Sequence, residues 1–302
     1  MPDNAPELAY PAETWEHWQL YRDVREALQA LPSSFASEMN VSGVMATDIF
    51  TLNSAFGAMI EEQVVDSLNR ARLAWDPDGT YSLYSFTRQA QRFPDVLLKK
   101  PGSDDDILFG IELKGWYLLS KEGEPSFRFT TTLSACATAD LVVVVPWVLS
   151  NIISGTPRVF SPYIVPARYA AEYRNYHWEH LRESEDEKGI VLASGATPYP
   201  KKADPTADVP KSDNGGNFGR FARTGLMDDY KKNLMDQLLR GVPARYWLAF
   251  FKAFQDQSNE EKVTKRLEGL VKQARQSLES RDDGRLVAIL RLIDDLKAVV
   301  LD

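Results

Sequence analysis

Asp95, Glu112 and Lys114 are the residues whose types and spacing could do chemistry. Asp95 follows Pro94 at the head of an apolar run, Val96-Leu97-Leu98. Glu112 and Lys114 sit two apart in a second run, Ile107 to Tyr117, which is broken only by Gly110, Glu112, Lys114 and Gly115. Side chains alternate faces along a strand, so Glu112 and Lys114 share one face while Ile111 and Leu113 take the other. A carboxylate and an ammonium side by side on a core strand are expensive to desolvate, so a sequence that places them there usually needs them there. The set fits hydrolysis of a phosphodiester. Asp95, Glu112 and the Leu113 carbonyl are hard oxygen donors suited to Mg2+. Such a metal activates a water and offsets charge building on the phosphate. Lys114 can hold or polarise that water, or stabilise the charged transition state.

The elements that position these residues are legible around them. The two apolar runs, joined by Pro101-Gly102-Ser103-Asp104-Asp105-Asp106, predict an antiparallel hairpin. Asn53 to Leu73 predicts a helix with Ala58, Glu61, Val65 and Leu68 on one stripe and Ile60 and Val64 beside it. Glu62, Asp66 and Asn69 fall away from that stripe. Glu61 therefore borders the apolar face, and a small change in helix roll would exchange it for Glu62. Thr80 to Thr87 reads as a strand. Thr130 to Ala139 is small and helix-compatible and predicts a packed helix. Leu141 to Trp147 is apolar on both faces, the pattern of a central strand covered on two sides, with Asp140 capping its start.

Pro94-Asp95 and Glu112-Leu113-Lys114, preceded by a helix acid in Gly57-Ala58-Met59-Ile60-Glu61, resemble the motif of the PD-(D/E)XK nuclease superfamily. The resemblance covers roughly residues 53–149, and only the motif residues are specific. It implies a restriction-endonuclease-like core in which Asp95 and Glu112, with the Leu113 carbonyl, hold Mg2+, Lys114 is catalytic, and Glu61 is a third acid for a metal or its water. The absence of an ATPase motif and the long elaborations look like a Type II restriction endonuclease. Such enzymes are typically homodimers on double-stranded DNA, since a two-fold protein matches a palindromic site. A repair or junction-resolving nuclease is the alternative within the class, and a catalytically inactive DNA-binding module the alternative outside it.

The rest of the chain supplies candidate DNA contacts. Residues 194–217 are rich in Pro, Gly, Lys and Asp and predict a long irregular segment, a common place for function. Lys201, Lys202 and Lys211 within it and Arg220 and Arg223 just after it are the candidate basic residues, and Lys121 and Arg128 lie just beyond the catalytic strand. Lysines suit phosphates and arginines suit base edges. Arg158 to Val165 reads as a further strand, and Pro166 opens a helix running to about Glu187. His177-Trp178-Glu179-His180 has the wrong histidine spacing for a zincin, and Gly215-Gly216 lacks the Lys-Ser/Thr of a P-loop, so no nucleotide cofactor is expected. Helices are predicted over 221–241, 243–254, 259–280 and 284–301, the last two as a hairpin.

Composition sets the outer bounds. One cysteine, Cys136, excludes a disulfide framework and suits a reducing cytoplasm. No apolar stretch approaches the length needed to span a membrane. A net charge of -8 argues against a passive nucleic-acid coat, though not against a basic cleft on an acidic body. The expected fold is α/β: a mixed central sheet of about five strands flanked by helices, with a helical C-terminal half. The expected segments are an N-terminal arm and helix (1–52), the catalytic core (53–187) and a loop plus helical part packed on it (188–302).

Overall fold

Leu141–Leu149 is the strand on which the sheet is built, and all nine of its residues are buried. A run with no charged side chain on either face can only be accommodated with cover on both sides. The computed structural model describes residues 4–44, 48–89, 91–183, 187–253 and 260–278. The chain begins with helices α1 (Trp18–Gln29), α2 (Leu31–Ser34), α3 (Leu52–Arg70) and α4 (Arg72–Trp75). Six strands follow: β1 (Ser85–Arg88), β2 (Val96–Lys99), β3 (Ile107–Tyr117), β4 (Leu141–Leu149), β5 (Pro157–Val159) and β6 (Tyr163–Pro166). Helix α5 (Ala167–Tyr176) continues through a π turn, His177–Leu181.

The sheet runs β1-β2-β3-β4, and the far edge of β4 is shared by β5 and β6. Only β3 and β4 are parallel; every other pair is antiparallel. This is an α/β fold with a mixed sheet. The β2–β3 hairpin forms as its alternation and turn residues predict, and Gly102 in the turn takes φ +81°. The run expected as one strand over 158–165 splits into β5 and β6, and the strand expected over 80–87 shortens to β1, because residues up to Tyr84 are spent on turns.

Helix α3 crosses the sheet with its polar groups against strand edges. Asn69 was expected to face away. Instead its side-chain amide donates to the Phe86 carbonyl and accepts from the Phe86 N–H, both at 2.9 Å, and so caps the outer edge of β1. The helix expected over 130–139 is absent apart from a single 3-10 turn, Leu133–Ala135. Its backbone is committed elsewhere. Phe129 N–H donates to Gly219 O, Thr132 N–H to Thr206 O, and Thr130 O accepts from Asp208 N–H. Three consecutive threonines, stiff at χ1, favour this extended path. The buried Arg174 of α5 secures it, donating to Phe129 O and Thr131 O and pairing with buried Asp208 at 2.5 Å. The 194–217 segment is irregular as expected, and this pair ties it to the core.

The remaining elements are β7 (Ile190–Val191) paired with β8 (Val209–Pro210), α6 (Asp228–Met235), the hairpin β9 (Leu238–Leu239) and β10 (Val242–Pro243), α7 (Ala244–Ala253) and α8 (Glu260–Leu278). The helix expected over 221–241 is shorter because Gly225 (φ +90°) precedes it and Arg240-Gly241 (φ +53° and +85°) turn the chain after it. The helix expected over 284–301 lies outside the described residues. One apolar core extends from Leu20 of α1 to Phe251 of α7, drawing on all three expected segments. Among the described residues no helix is long and apolar enough to cross a membrane.

Candidate active site

The hairpin register aligns Val96 with Ile111 and so sets Asp95 opposite Glu112. The Asp95 N–H donates to Glu112 Oε2 at 3.3 Å. Lys114 Nζ donates to Asp95 Oδ2 at 2.7 Å and lies 3.1 Å from Glu112 Oε1. The three side chains remain 28 %, 12 % and 23 % exposed in the order Asp95, Glu112, Lys114, so the cluster is largely desolvated yet reachable. Gly110 is part of the frame. A Cβ there would stand 2.1 Å from Pro94 Cγ and 3.0 Å from Asp140 Oδ1, so only glycine lets Pro94 pack over β3. Asp140 Oδ1 accepts the Gly110 N–H at 2.7 Å and Oδ2 accepts the Ala137 N–H at 2.7 Å, which locks the start of β4 to the same point.

Beyond Ile111 strand β2 ends while β3 continues, leaving a free strand edge. Unpaired N–H groups there are costly to bury. Side chains take them: Leu113 N–H donates to Asp95 Oδ2 at 3.1 Å, Gly115 N–H to Glu61 Oε1 at 3.1 Å, and Tyr117 N–H to Asn53 Oδ1 at 2.7 Å. Asn53, Gly57 and Glu61 are spaced four apart and form one stripe of α3. At its centre a Cβ on Gly115 would be 3.3 Å from the Gly57 carbonyl oxygen. Two glycines thus bring the helix backbone against the strand and carry Glu61 to the cluster. Glu61 Oε2 lies 3.8 Å from Arg88 Nη2. Glu62, with a 64 % exposed side chain, reaches only the other nitrogen of Arg88, at 3.9 Å. The helix acid at the cluster is therefore Glu61.

Carboxylates outnumber ammonium groups here, and the titration reflects it. Burial, reinforced by the charge of Asp95 and opposed by Lys114, pushes Glu112 up to about 7. Burial also raises Glu61, against the relief given by the Gly115 N–H and Lys114. Burial works to lower Lys114, but the Glu112 and Asp95 carboxylates outweigh it and hold the ammonium above its ordinary value. The donor chemistry fits a small hard cation. Asp95 and Glu112 already converge on one positive charge, and Leu113 lies past the last β2–β3 pair with its carbonyl outside the ladder. Among the described residues no three His, Cys, Asp or Glu side chains form a metal cage by themselves. Glu61 is turned to Gly115 and Arg88, so a metal would rest on two carboxylates, a carbonyl and waters, a set Mg2+ accepts.

The basic residues read from the sequence separate into groups. Arg128, Arg220 and Arg223 come together: Arg128 and Arg220 form an isolated β-bridge, and Arg223 donates to Asn217 Oδ1 at 2.7 Å and to Glu124 Oε1 at 2.8 Å. Lys211 pairs with Glu187 at 2.8 Å beside Gly189. Lys201 and Lys202 are exposed, and the Lys201 N–H caps on Asp204. Lys121 lines a separate cavity with Lys252 and Arg266, between α7 and α8. His177 and His180 sit in the π turn, His177 half-buried and His180 exposed.

Arg88 and Asn53 were not singled out by the sequence reading. Arg88 lies two residues after the buried Phe86, so strand alternation turns it to the face α3 covers. Asn53 lies eight residues before Glu61, two turns along the same stripe. Both signals are visible only once the crossing of α3 over the strand edge is known. No protein-family model, curated protein or solved structure matches the chain.

Proposed function

We propose that the chain is a magnesium-dependent endonuclease of the PD-(D/E)XK type acting on double-stranded DNA, in the manner of a homodimeric Type II restriction enzyme. The observation that carries the reading is the convergence of Asp95, Glu112 and Lys114 within 3.1 Å at a partly open strand edge, with Glu61 delivered beside them by α3. Asp95, Glu112 and the Leu113 carbonyl would hold the metal. When bound, Mg2+ supplies an activated water and charge neutralisation at the phosphate. Lys114, held positive by its two carboxylates, donates to the attacking water or to a phosphate oxygen. Glu112 carries a proton through much of the range below neutrality, so metal affinity and cleavage climb together as pH rises through 7. Arg88 fixes Glu61 in place as a positioning residue.

A catalytically inactive DNA-binding module is the second reading, and one observation favours it. Asp95 and Glu61 each accept an edge N–H of β3, so both have structural work that does not require catalysis. The two are separated by incubating purified protein with plasmid and phage DNA, with Mg2+, with EDTA, and as Lys114→Ala. Discrete fragments that need both Mg2+ and Lys114 are expected. Cleavage that survives Lys114→Ala would remove the proposed site, and binding without cleavage would leave the module.

A further inference from the structure

A second polar cavity lies away from the carboxylate cluster. It has a volume of about 220 Å³ and is lined by Arg174, His177, Trp178, Arg182, Arg220 and Arg223, with Asp213 and Glu183 at its wall. Four guanidinium groups around so small a space are expensive unless they serve an anion. Arg174 is answered by Asp208 and Arg223 by Glu124. Arg220 is not. Its Nε donates to Gly216 O at 3.2 Å, and its two Nη groups have no hydrogen-bond partner among the described residues. Asp213 makes no hydrogen bond to it; its carboxylate accepts the N–H groups of Asn217 at 2.7 Å and Phe218 at 3.0 Å.

The aromatic wall narrows the ligand class. Arg182 Cζ stacks 3.5 Å over the Trp178 ring, and Phe218 meets the same ring edge-on at 5.1 Å. The indole face is thus covered and offers no platform for a base. Trp178 is 3 % exposed, and its Nε1–H has no acceptor among the described residues. A ligand here must accept hydrogen bonds, carry negative charge and do without stacking. Arg128 lies outside this lining, over Gly216, whose absent Cβ would meet Arg128 Nη2 at 2.5 Å.

We propose that this cavity is a phosphate-binding pocket, in which Arg220 and Arg182 hold a phosphoryl group. The inference stands apart from the nuclease reading, because it needs neither metal nor cleavage. The phosphoryl group can come from a DNA terminus, a DNA backbone or a free phosphate, since the chemistry recognised is the same.

His177 reports on the pocket. Burial and the neighbouring Arg182 lower its pKa, and a bound anion reverses that direction. The chain has three histidines, so His17 and His180 serve as internal controls in imidazole NMR. Inorganic phosphate is titrated into the full-length protein without Mg2+, against chloride at equal ionic strength. We expect a saturable His177 shift and a raised His177 pKa, with affinity about tenfold or more weaker in Arg220→Gln and in Arg182→Gln, as loss of a charge-assisted hydrogen bond implies. Matched duplexes ending in 5′-phosphate or 5′-hydroxyl identify the source. A response to the phosphorylated duplex alone assigns a terminal phosphate, a response to both assigns the backbone, and a response to inorganic phosphate alone assigns a small ligand. No saturable His177 shift with any probe, or an equal shift in both variants, would overturn the proposal. Retained His177 response in a protein that cuts no DNA would leave it standing while the nuclease reading fell.

Discussion

Glu112→Gln should stabilise the protein at pH 8 and lose that advantage at pH 5. In the folded chain Glu112 sits 12 % exposed beside Asp95, and its pKa rises from the ordinary 4.5 to about 7. The folded state therefore binds more protons than the unfolded state between those values, and stability falls as pH rises across that window, then levels off above it. The full rise corresponds to roughly 3 kcal/mol. Gln removes the buried charge but turns an amide NH2 towards one of two donors, Asp95 N–H or Lys114 Nζ. That mismatch costs about 1–2 kcal/mol. The expected net gain is about 1–2 kcal/mol at pH 8, or some 2–4 °C in Tm, turning into a loss of up to about 1 kcal/mol at pH 5. Urea unfolding followed by tryptophan fluorescence at both pH values measures it. A variant less stable than wild type at pH 8, or a difference that does not change with pH, would refute the reasoning. The same variant should cut no DNA, since the charge it lacks is the one a metal needs.

Other perturbations test the frame around the cluster. Gly110→Ala drives a Cβ into Pro94, which cannot rotate away, and should cost about 3 kcal/mol in denaturant unfolding along with loss of cleavage. Arg174→Ala leaves Asp208 buried without its cation and should cost about 3–5 kcal/mol. Limited proteolysis should then cut readily after Lys201 and Lys202, and unchanged resistance there would contradict the anchoring role. Glu61→Ala orphans the Gly115 N–H and should lose about 1–2 kcal/mol. Glu61→Gln keeps an acceptor and should lose less than about 0.5 kcal/mol, so a cleavage defect shared by both variants separates the acid's chemistry from its structural work.

The hairpin was legible because its signals are local. Two apolar runs, a Pro-Gly-Asp turn and a period of two suffice to place Glu112 and Lys114 on one face and Asp95 at the strand entrance. The all-apolar run of β4 was legible for the same reason. Failures fell where a backbone hydrogen bond had a distant partner. Residues 130–139 look helical by composition, yet the backbone of Thr130 to Thr132 at their head is paired with residues 206–208, more than 70 positions away. Asn69 looks solvent-facing on a helical wheel, yet its amide caps Phe86. The seven basic residues read as candidate DNA contacts resolve into separate places, with Arg128, Arg220 and Arg223 together and Lys121 in a cavity between α7 and α8.

By itself the sequence determined which groups could do chemistry and which strands carry them, since side-chain alternation and turn preference act over a few residues. Only the tertiary structure decided that β3 outruns β2 and leaves an edge, that Gly57 and Gly115 let α3 lie against that edge, and that Glu61 rather than Glu62 arrives there with Arg88 behind it. Those outcomes rest on satisfying buried N–H groups and on close backbone contact between segments some 60 residues apart. Neither requirement leaves a periodic trace along the chain.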